Sequence, residues 1–213
     1  MKLYTYFRSS AAYRVRIALA LKGLNYDSVG LSILNGQHKE ETYLNANPQG
    51  LVPALELEDG TVLNQSVAIL EYLEECYPEP PLLPHTALQK AQVRSLVNHI
   101  ACDVHPLNNI SILHYLRDNL EASKADLDKW YSQWVKRAFV SIEELVGKGN
   151  GLVCFGIQPG MADCLLIPQV YNANRFNVDL AAFPTIQSIH RHCNTLPEFQ
   201  QAHPDRQADN PAT

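Results

Sequence analysis

The sequence predicts an α/β unit followed by an all-helical unit, and three observations carry that prediction. Strand-like and helix-like patterns alternate from the first residues to Tyr77. Pro78, Pro80, Pro81 and Pro84 then fall within a few positions, where no regular element continues. Beyond His85 the apolar spacing is almost wholly helical.

Each element has its own signal. Residues 2–7 alternate like a half-buried strand. From Ala11 to Leu21, Val15, Ala18 and Leu19 share a helical face that Ile17 and Leu21 widen, and Gly23 is placed to end the helix. A second strand is expected at YDSVGLSI (26–33). LVPALEL (51–57) and TVLNQ (61–65) should form a hairpin around the turn Glu58-Asp59-Gly60. SVAILEYLEECY has helical period, with Ser66 where an N-cap belongs. In the second half, one long helical segment is expected over 87–119, kinked or divided at Pro106. Ser123 with Asp126 resembles a capping box, opening a helix that carries Trp130 and Trp134 one turn apart on one face. MADCLLIPQVYNA (161–173) reads as the apolar helix at the centre of the second domain. The expected boundaries are 1–80 for the α/β domain, 81–86 for a proline-rich linker and 87–213 for the helical domain. A loose polar tail is expected after Pro204.

The totals bound the function. With 213 residues, 46% hydrophobic and 18% charged, the chain is in the range of a soluble protein with a substantial core. A net charge of −5 and a pI near 5.9 argue against an electrostatic grip on nucleic acid. No apolar run reaches membrane-spanning length, and the first residues alternate like a strand rather than a signal peptide. The five cysteines (Cys76, Cys102, Cys154, Cys164 and Cys193) are scattered and odd in number, which suits reduced thiols in the cytoplasm. Cys102 and His105 form an isolated C-x-x-H, so no metal site is expected.

Three places could carry chemistry. Arg8-Ser9-Ser10 sits at the first strand-to-helix junction, where a serine either caps the helix or donates its hydroxyl to a ligand thiolate. A serine hydrolase is not indicated, because G-x-S-x-G is missing and no aspartate lies nearby in sequence. Val52-Pro53 interrupts a paired strand, either as a plain edge proline or as a device leaving the Val52 main chain open to an extended peptide-like ligand. Gln65-Ser66 opens a helix whose N-terminus suits a carboxylate, with simple capping as the alternative.

Taken with the residues around them, these sites resemble a family. The run Ser9-Ser10-Ala11-Ala12-Tyr13-Arg14-Val15-Arg16-Ile17-Ala18-Leu19 is similar to the signature S-S-C-x-W-R-V-R-I-A-L of zeta-class cytosolic glutathione transferases, the group that includes maleylacetoacetate isomerases. NPQGLVPALELEDG (47–60), NQSVAILEYLEE (64–75), MADCLLIPQV (161–170), NANRFNVDL (172–180) and HPDRQADNP (203–211) extend the resemblance in order over nearly the whole chain. It implies a thioredoxin-like N-terminal domain, an all-helical C-terminal domain, glutathione as cofactor and a cytoplasmic homodimer. It also implies glutathione contacts from Ser9, Ser10, His38, Val52, Gln65 and Ser66, with His105, Asn109 and Ser111 lining the cleft. Arg8 and Arg175 match arginines associated with substrate carboxylates; ordinary ion pairing is their alternative. Two positions depart from the pattern. Ala11 replaces the signature cysteine, so the reacting sulfur must come from glutathione. Gly160 stands where relatives usually place the Ser or Thr that caps the helix containing Asp163.

The implied activity is glutathione-dependent cis–trans isomerisation of maleylacetoacetate, by reversible addition of a thiolate to the double bond. Lowering a thiol pKa of about 8.5 by about two units takes roughly 2.7 kcal/mol of preferential thiolate stabilisation. A helix N-terminus contributes about 0.3–1 kcal/mol, and roughly 2 in favourable settings. One hydrogen bond to a charged group adds on the order of 1.5–3 kcal/mol, so helix and hydroxyl together suffice. Ser9 is the first choice for that hydroxyl and Ser10 the second. Maleylpyruvate isomerisation, general glutathione conjugation and non-enzymatic glutathione binding stay open as alternatives. Ile110 and Ser111, where maleylpyruvate-type relatives can carry basic residues, favour maleylacetoacetate.

Overall fold

A computed structural model describes residues 1–149 and 151–212. The chain divides into two units, one formed by Met1–Leu82 with the segment from Asn194 onward, the other by Leu83–Cys193.

In the first unit, β1 (Lys2–Thr5) lies inside a four-stranded sheet of order β2-β1-β3-β4. It pairs parallel with β2 (Asp27–Gly30) and antiparallel with β3 (Ala54–Glu56), which is followed antiparallel by β4 (Val62–Asn64). A parallel pair needs a crossover, and α1 (Ser10–Leu21) supplies it. Leu3 and its cross-strand partner Leu55 are fully buried and anchor the sheet to the core. All four strands are shorter than their sequence patterns. In β3 the ladder begins only after Pro53, which has no N–H to donate.

Local chemistry closes α1 at both ends. The Ser9 hydroxyl accepts from the Ala12 N–H at 3.2 Å. Past the last turn, Gly23 at φ +64° lets its own N–H reach Ala20 O and the Leu24 N–H reach Leu19 O, the paired bonds of a Schellman motif. Lys22 is then turned inward. Its Nζ, fully buried, donates to Glu74 Oε2 at 2.8 Å, Tyr77 O at 2.6 Å and Pro80 O at 3.0 Å. It thereby ties α1 to the proline-rich stretch and, beyond the short α2 (Glu41–Leu44) in chain order, to the end of α3 (Ser66–Cys76).

The segment after Asn194, expected as the end of the helical domain with a loose tail, belongs instead to the first unit. Its helix α9 (Pro197–Ala202) packs on α1 and buries Phe199 completely. Two long-range bonds secure it, Arg16 Nε to Ala202 O at 3.0 Å and Phe7 N to Asp209 Oδ2 at 2.8 Å. The polar look of this tail is misleading because its partners are main-chain groups and a buried guanidinium rather than water.

In the second unit the expected long helix is divided before Pro106. After α4 (Ala87–Asn98) comes a π-helical turn, His99–Val104, and α5 (Ile110–Asn119) begins afresh with Asn109 as its cap. Helix α6 (Lys124–Val146) opens with the expected capping box of Ser123 and Asp126, and its Trp130 and Trp134 rings meet edge-on at 5.6 Å. Helix α7 (Met161–Arg175) is buried along nearly its whole first two-thirds. Gly160, lacking a side chain, has only main-chain groups to offer: its N–H donates to Asp163 Oδ2 at 2.9 Å and its carbonyl accepts from Asp163 N at 3.0 Å, while Asp163 Oδ1 accepts from Cys154 N at 2.8 Å. The Glu143 carboxylate of α6 accepts from the first N–H groups of α8 (Pro184–Cys193), at Thr185 and Ile186.

Two outcomes follow for stability. Lys22→Ala strips a buried cation from three acceptors and should cost about 3–5 kcal/mol, measured by urea unfolding; a loss below about 1 kcal/mol would place the pair among the weak ones. His203 is half-buried, its ring edge-on to Tyr13 at 6.0 Å. Burial holds its imidazole below the ordinary range despite the opposing pull of Asp205, with Arg16 and Arg206 pushing the same way as burial. The folded chain therefore takes up a proton here less readily than the unfolded chain. Stability is full above the ordinary histidine range, falls as pH drops through about 6.5, and levels once the folded form is protonated too. His203→Gln should flatten that part of the stability curve between about pH 5 and 8; an unchanged slope would assign it to other groups.

Candidate active site

The turn Tyr6-Phe7-Arg8 links β1 to α1 and is closed by Ser9 N donating to Tyr6 O at 2.9 Å. Ser9 is half-buried and has the extended backbone of an N-cap, φ −69° and ψ 113°. A hydroxyl has one proton and two lone pairs. Helix capping takes a lone pair of Ser9, so its proton stays available to an acceptor outside the helix. Ser10 is the first helical residue, only 3% exposed, and already has an interaction partner. The geometry thus ranks Ser9 ahead of Ser10 as the outward donor. Arg8 is exposed, with its guanidinium 4.9 Å from the Phe7 ring centre and no carboxylate in ion-pair reach among the described residues. Ordinary ion pairing does not account for it.

Across the sheet, a buried asparagine builds the second part of the site. Asn47 is 0% exposed; its Nδ2 donates to Leu51 O at 2.7 Å, and its Oδ1 accepts from Gln49 N at 3.2 Å and Asn64 Nδ2 at 3.4 Å. The Tyr43 hydroxyl donates to the same Leu51 carbonyl. Gly50 completes the loop at φ +59°, where an added Cβ would lie 3.0 Å from His38 O, so the loop closes against the His38 turn. The chain then reaches Val52, joined to Pro53 by a cis peptide. The Val52 main chain has no hydrogen-bond partner among the described residues, although the residue is only 8% exposed. His38 Nδ1 is likewise buried without a partner, and burial, aided by Lys39, holds this imidazole below its ordinary value.

Gln65 occupies the N-cap position of α3, one residue earlier than the serine expected there. Its φ of +67° is costly for a residue with a Cβ, and its Nε2 donates to Gln49 Oε1 at 3.0 Å. No side chain caps α3. The Ser66 hydroxyl instead accepts from Arg14 Nη1 at 3.1 Å, which leaves its proton and the first-turn N–H groups of α3 to an external acceptor. Arg14 is 2% exposed and follows Ser10 by one helical turn. It and Asn47 are residues that motif reading passed over. The available signal was an arginine within the largely apolar run of α1; Asn47, among Asn45, Pro48 and Gln49, had no such signal.

The remaining candidates lie in the second unit. The His105 N–H donates to Ile100 O at 2.9 Å, completing the π-helical turn. Asn109 and Ser111 are brought together directly, since Asn109 Oδ1 accepts from both Ser111 N at 3.0 Å and Ser111 Oγ at 3.1 Å. Arg175 ends α7, exposed, with Nη1 donating to Asn172 Oδ1 at 3.2 Å. Its guanidinium rests 5.0 Å from the Phe176 ring centre, and Phe176 stacks on Tyr131 at 3.9 Å. Among the described residues no group of three or more His, Cys, Asp or Glu side chains is placed to hold a metal ion, and no helix is long and apolar enough to cross a membrane.

Comparison with known proteins places these features in context. Residues 8–76 match the family model for the glutathione S-transferase N-terminal domain. The chain is 46% identical to a maleylacetoacetate isomerase of Pseudomonas aeruginosa over the full length of both. It superposes with a TM-score of 0.95 and 41% identity on the holo structure of a maleyl pyruvate isomerase, described as a bacterial zeta-class glutathione S-transferase, covering 98% of this chain and 99% of the other. A maleylacetoacetate isomerase from Methylobacterium extorquens AM1, solved with malonate and GSH bound, superposes at 0.94 with 37% identity over 100% of both chains.

Proposed function

The chain belongs to the zeta class of the glutathione transferases, alongside the maleylacetoacetate isomerases, and on that footing we propose that it converts maleylacetoacetate to fumarylacetoacetate in a glutathione-dependent cis–trans isomerisation. The observation that carries the reading is the unsatisfied polar edge of the first unit. An open Val52 main chain, an uncapped α3 and an outward Ser9 proton are what a small extended peptide with a carboxylate and a thiol would satisfy.

Glutathione is such a peptide, so the residues fit it. Val52 would pair with its backbone, Ser66 and the start of α3 with a carboxylate, and His38 and Gln65 with the polar groups beside them. When bound, glutathione supplies a thiol nucleophile for reversible addition to the activated double bond. Ser9, whose O–H is not spent on the helix, would donate it to the sulfur and, with the positive end of α1, would favour the ionised thiol. Ser10 stands second for that role. Arg8 and Arg175, neither neutralised by a carboxylate, hold the carboxylates of the diacid and the negative charge that develops beside them. Ile110 and Ser111 add no further cation, which favours the longer maleylacetoacetate over maleylpyruvate. His105, Asn109 and Ser111 serve as cleft-lining groups. The protein works as a cytoplasmic homodimer, a setting that suits its free cysteines.

The direct test is a spectrophotometric assay of both maleyl substrates with and without glutathione. Faster turnover of maleylacetoacetate, and none without glutathione, is expected; clear glutathione binding without turnover of any electrophile would leave a binding protein. Ser9→Ala should raise the pKa of the bound thiol by about 1–2 units, the equivalent of ~1.5–3 kcal/mol, read from thiolate absorbance; no shift in Ser9→Ala or Ser10→Ala would remove the hydroxyl role. Arg8→Ala and Arg175→Ala should each lower kcat/KM by about 10–150-fold. Lysine at either position should restore only part of this, because it lacks the planar fork.

A further inference from the structure

Phe7 separates the sheet from Arg8 and Ser9, and its peptide groups are held on both sides. Its carbonyl accepts from Arg16 Nη2 at 3.1 Å, and its N–H donates to Asp209 Oδ2 at 2.8 Å across 202 positions of sequence. Gly30, at the end of β2, makes room for the aspartate, since a Cβ there would lie 2.5 Å from Asp209 Cβ. The arrangement is a poor device for stability alone. One Asp209 oxygen gains the amide, while the other, Oδ1, is buried with no partner, and such an unpaired acceptor offsets most of the gain. What it does secure is position. Arg8 rests on the Phe7 ring, and the next residue is the Ser9 cap, so any rotation of the Phe7 peptide moves both.

We propose that Asp209, brought back by the segment after α9, is a positioning residue that sets the Arg8–Ser9 turn for its ligand by fixing the Phe7 amide. This rests on the reading of Ser9 as the thiolate donor. Displacement on the scale of an ångström at such a donor costs about 10²-fold in rate.

The test uses the full chain with Asp209→Ala, Asp209→Asn and Gly30→Ala, the last forcing the carboxylate aside from the opposite direction. Three readouts are taken, namely amide hydrogen exchange at Phe7 without glutathione, the pKa of the bound thiol, and kcat and KM separately. Asp209→Ala and Gly30→Ala should speed Phe7 exchange, raise the thiol pKa by about one unit and lower kcat by about 10–100-fold, with the melting temperature within about 4 °C of the parent. Asp209→Asn, which keeps an oxygen acceptor, should stay within about threefold of the parent in kcat. Unchanged thiol pKa and kcat in folded Asp209→Ala or Gly30→Ala would overturn the proposal, as would an asparagine variant as impaired as alanine. If Ser9→Ala shifts the thiol pKa and these variants do not, only the positioning role fails; if Ser9→Ala does not shift it, the Ser9 reading fails first.

Discussion

Everything in the first unit turns on the buried guanidinium of Arg16. It is 1% exposed and spends its donors on Thr5 Oγ1, Tyr6 O, Phe7 O and Ala202 O. A charge taken out of water is costly unless its donors find acceptors, and here the three nitrogens donate to one strand end, one turn and one distant helix. The planar fork of arginine reaches several carbonyls at fixed angles, which a lysine ammonium does not. That single group makes the exit of β1, the start of α1 and the end of α9 one object. The cap at Ser9 and the cation at Arg8 inherit their positions from it.

The two helix starts of this unit then behave differently, and the difference is chemically useful. Helix α1 has a side-chain cap and keeps only a hydroxyl proton in reserve. Helix α3 has no side-chain cap and keeps its first N–H groups, while Arg14 holds the Ser66 oxygen. One start suits a single ionised atom such as a thiolate, the other a flat carboxylate with several acceptor positions. The Asn47 network between them does no chemistry. It fixes the loop that ends in Val52, and the strained backbone at Gln65 is held by neighbours packed too well to let it relax.

What the sequence made legible was local. The Schellman end at Gly23, the hairpin turn at Glu58-Asp59-Gly60 and the Ser123–Asp126 capping box each depend on residues a few positions apart, and all three are present. The family motifs likewise point to Ser9, Val52 and Ser66, whose polar groups the fold leaves open as proposed ligand contacts. Harder to read were features set by distant partners. Nothing near Asp209 announces Phe7, and nothing near Ala202 announces Arg16, so the tail looked loose. The division of the long helix was placed at Pro106, whereas the chain leaves α-geometry earlier, in the π-helical turn His99–Val104; Pro106 follows that turn, and α5 restarts only at Ile110. Ser66 looked like a cap because serine is a good one, but it is the first helical residue and its oxygen accepts from Arg14 of α1 instead.

The choice of nucleophile follows from the same accounting. Ala11 places no thiol in the first turn of α1, and the cysteines buried in the second unit are poor candidates. Burial pushes the Cys154 thiol well above its ordinary range, helped by the neighbouring Asp163 carboxylate, and burial does the same to Cys193. Thiols raised in this way are inert at neutral pH, so they do not compete with an activated sulfur elsewhere. A protein that caps a helix with a serine, keeps that serine's proton in reserve and deactivates its own buried sulfur is built to use a sulfur brought to it. Glutathione dependence is in keeping with how the polar groups of α1 are spent: a capped start, a hydroxyl proton in reserve and no thiol in the first turn.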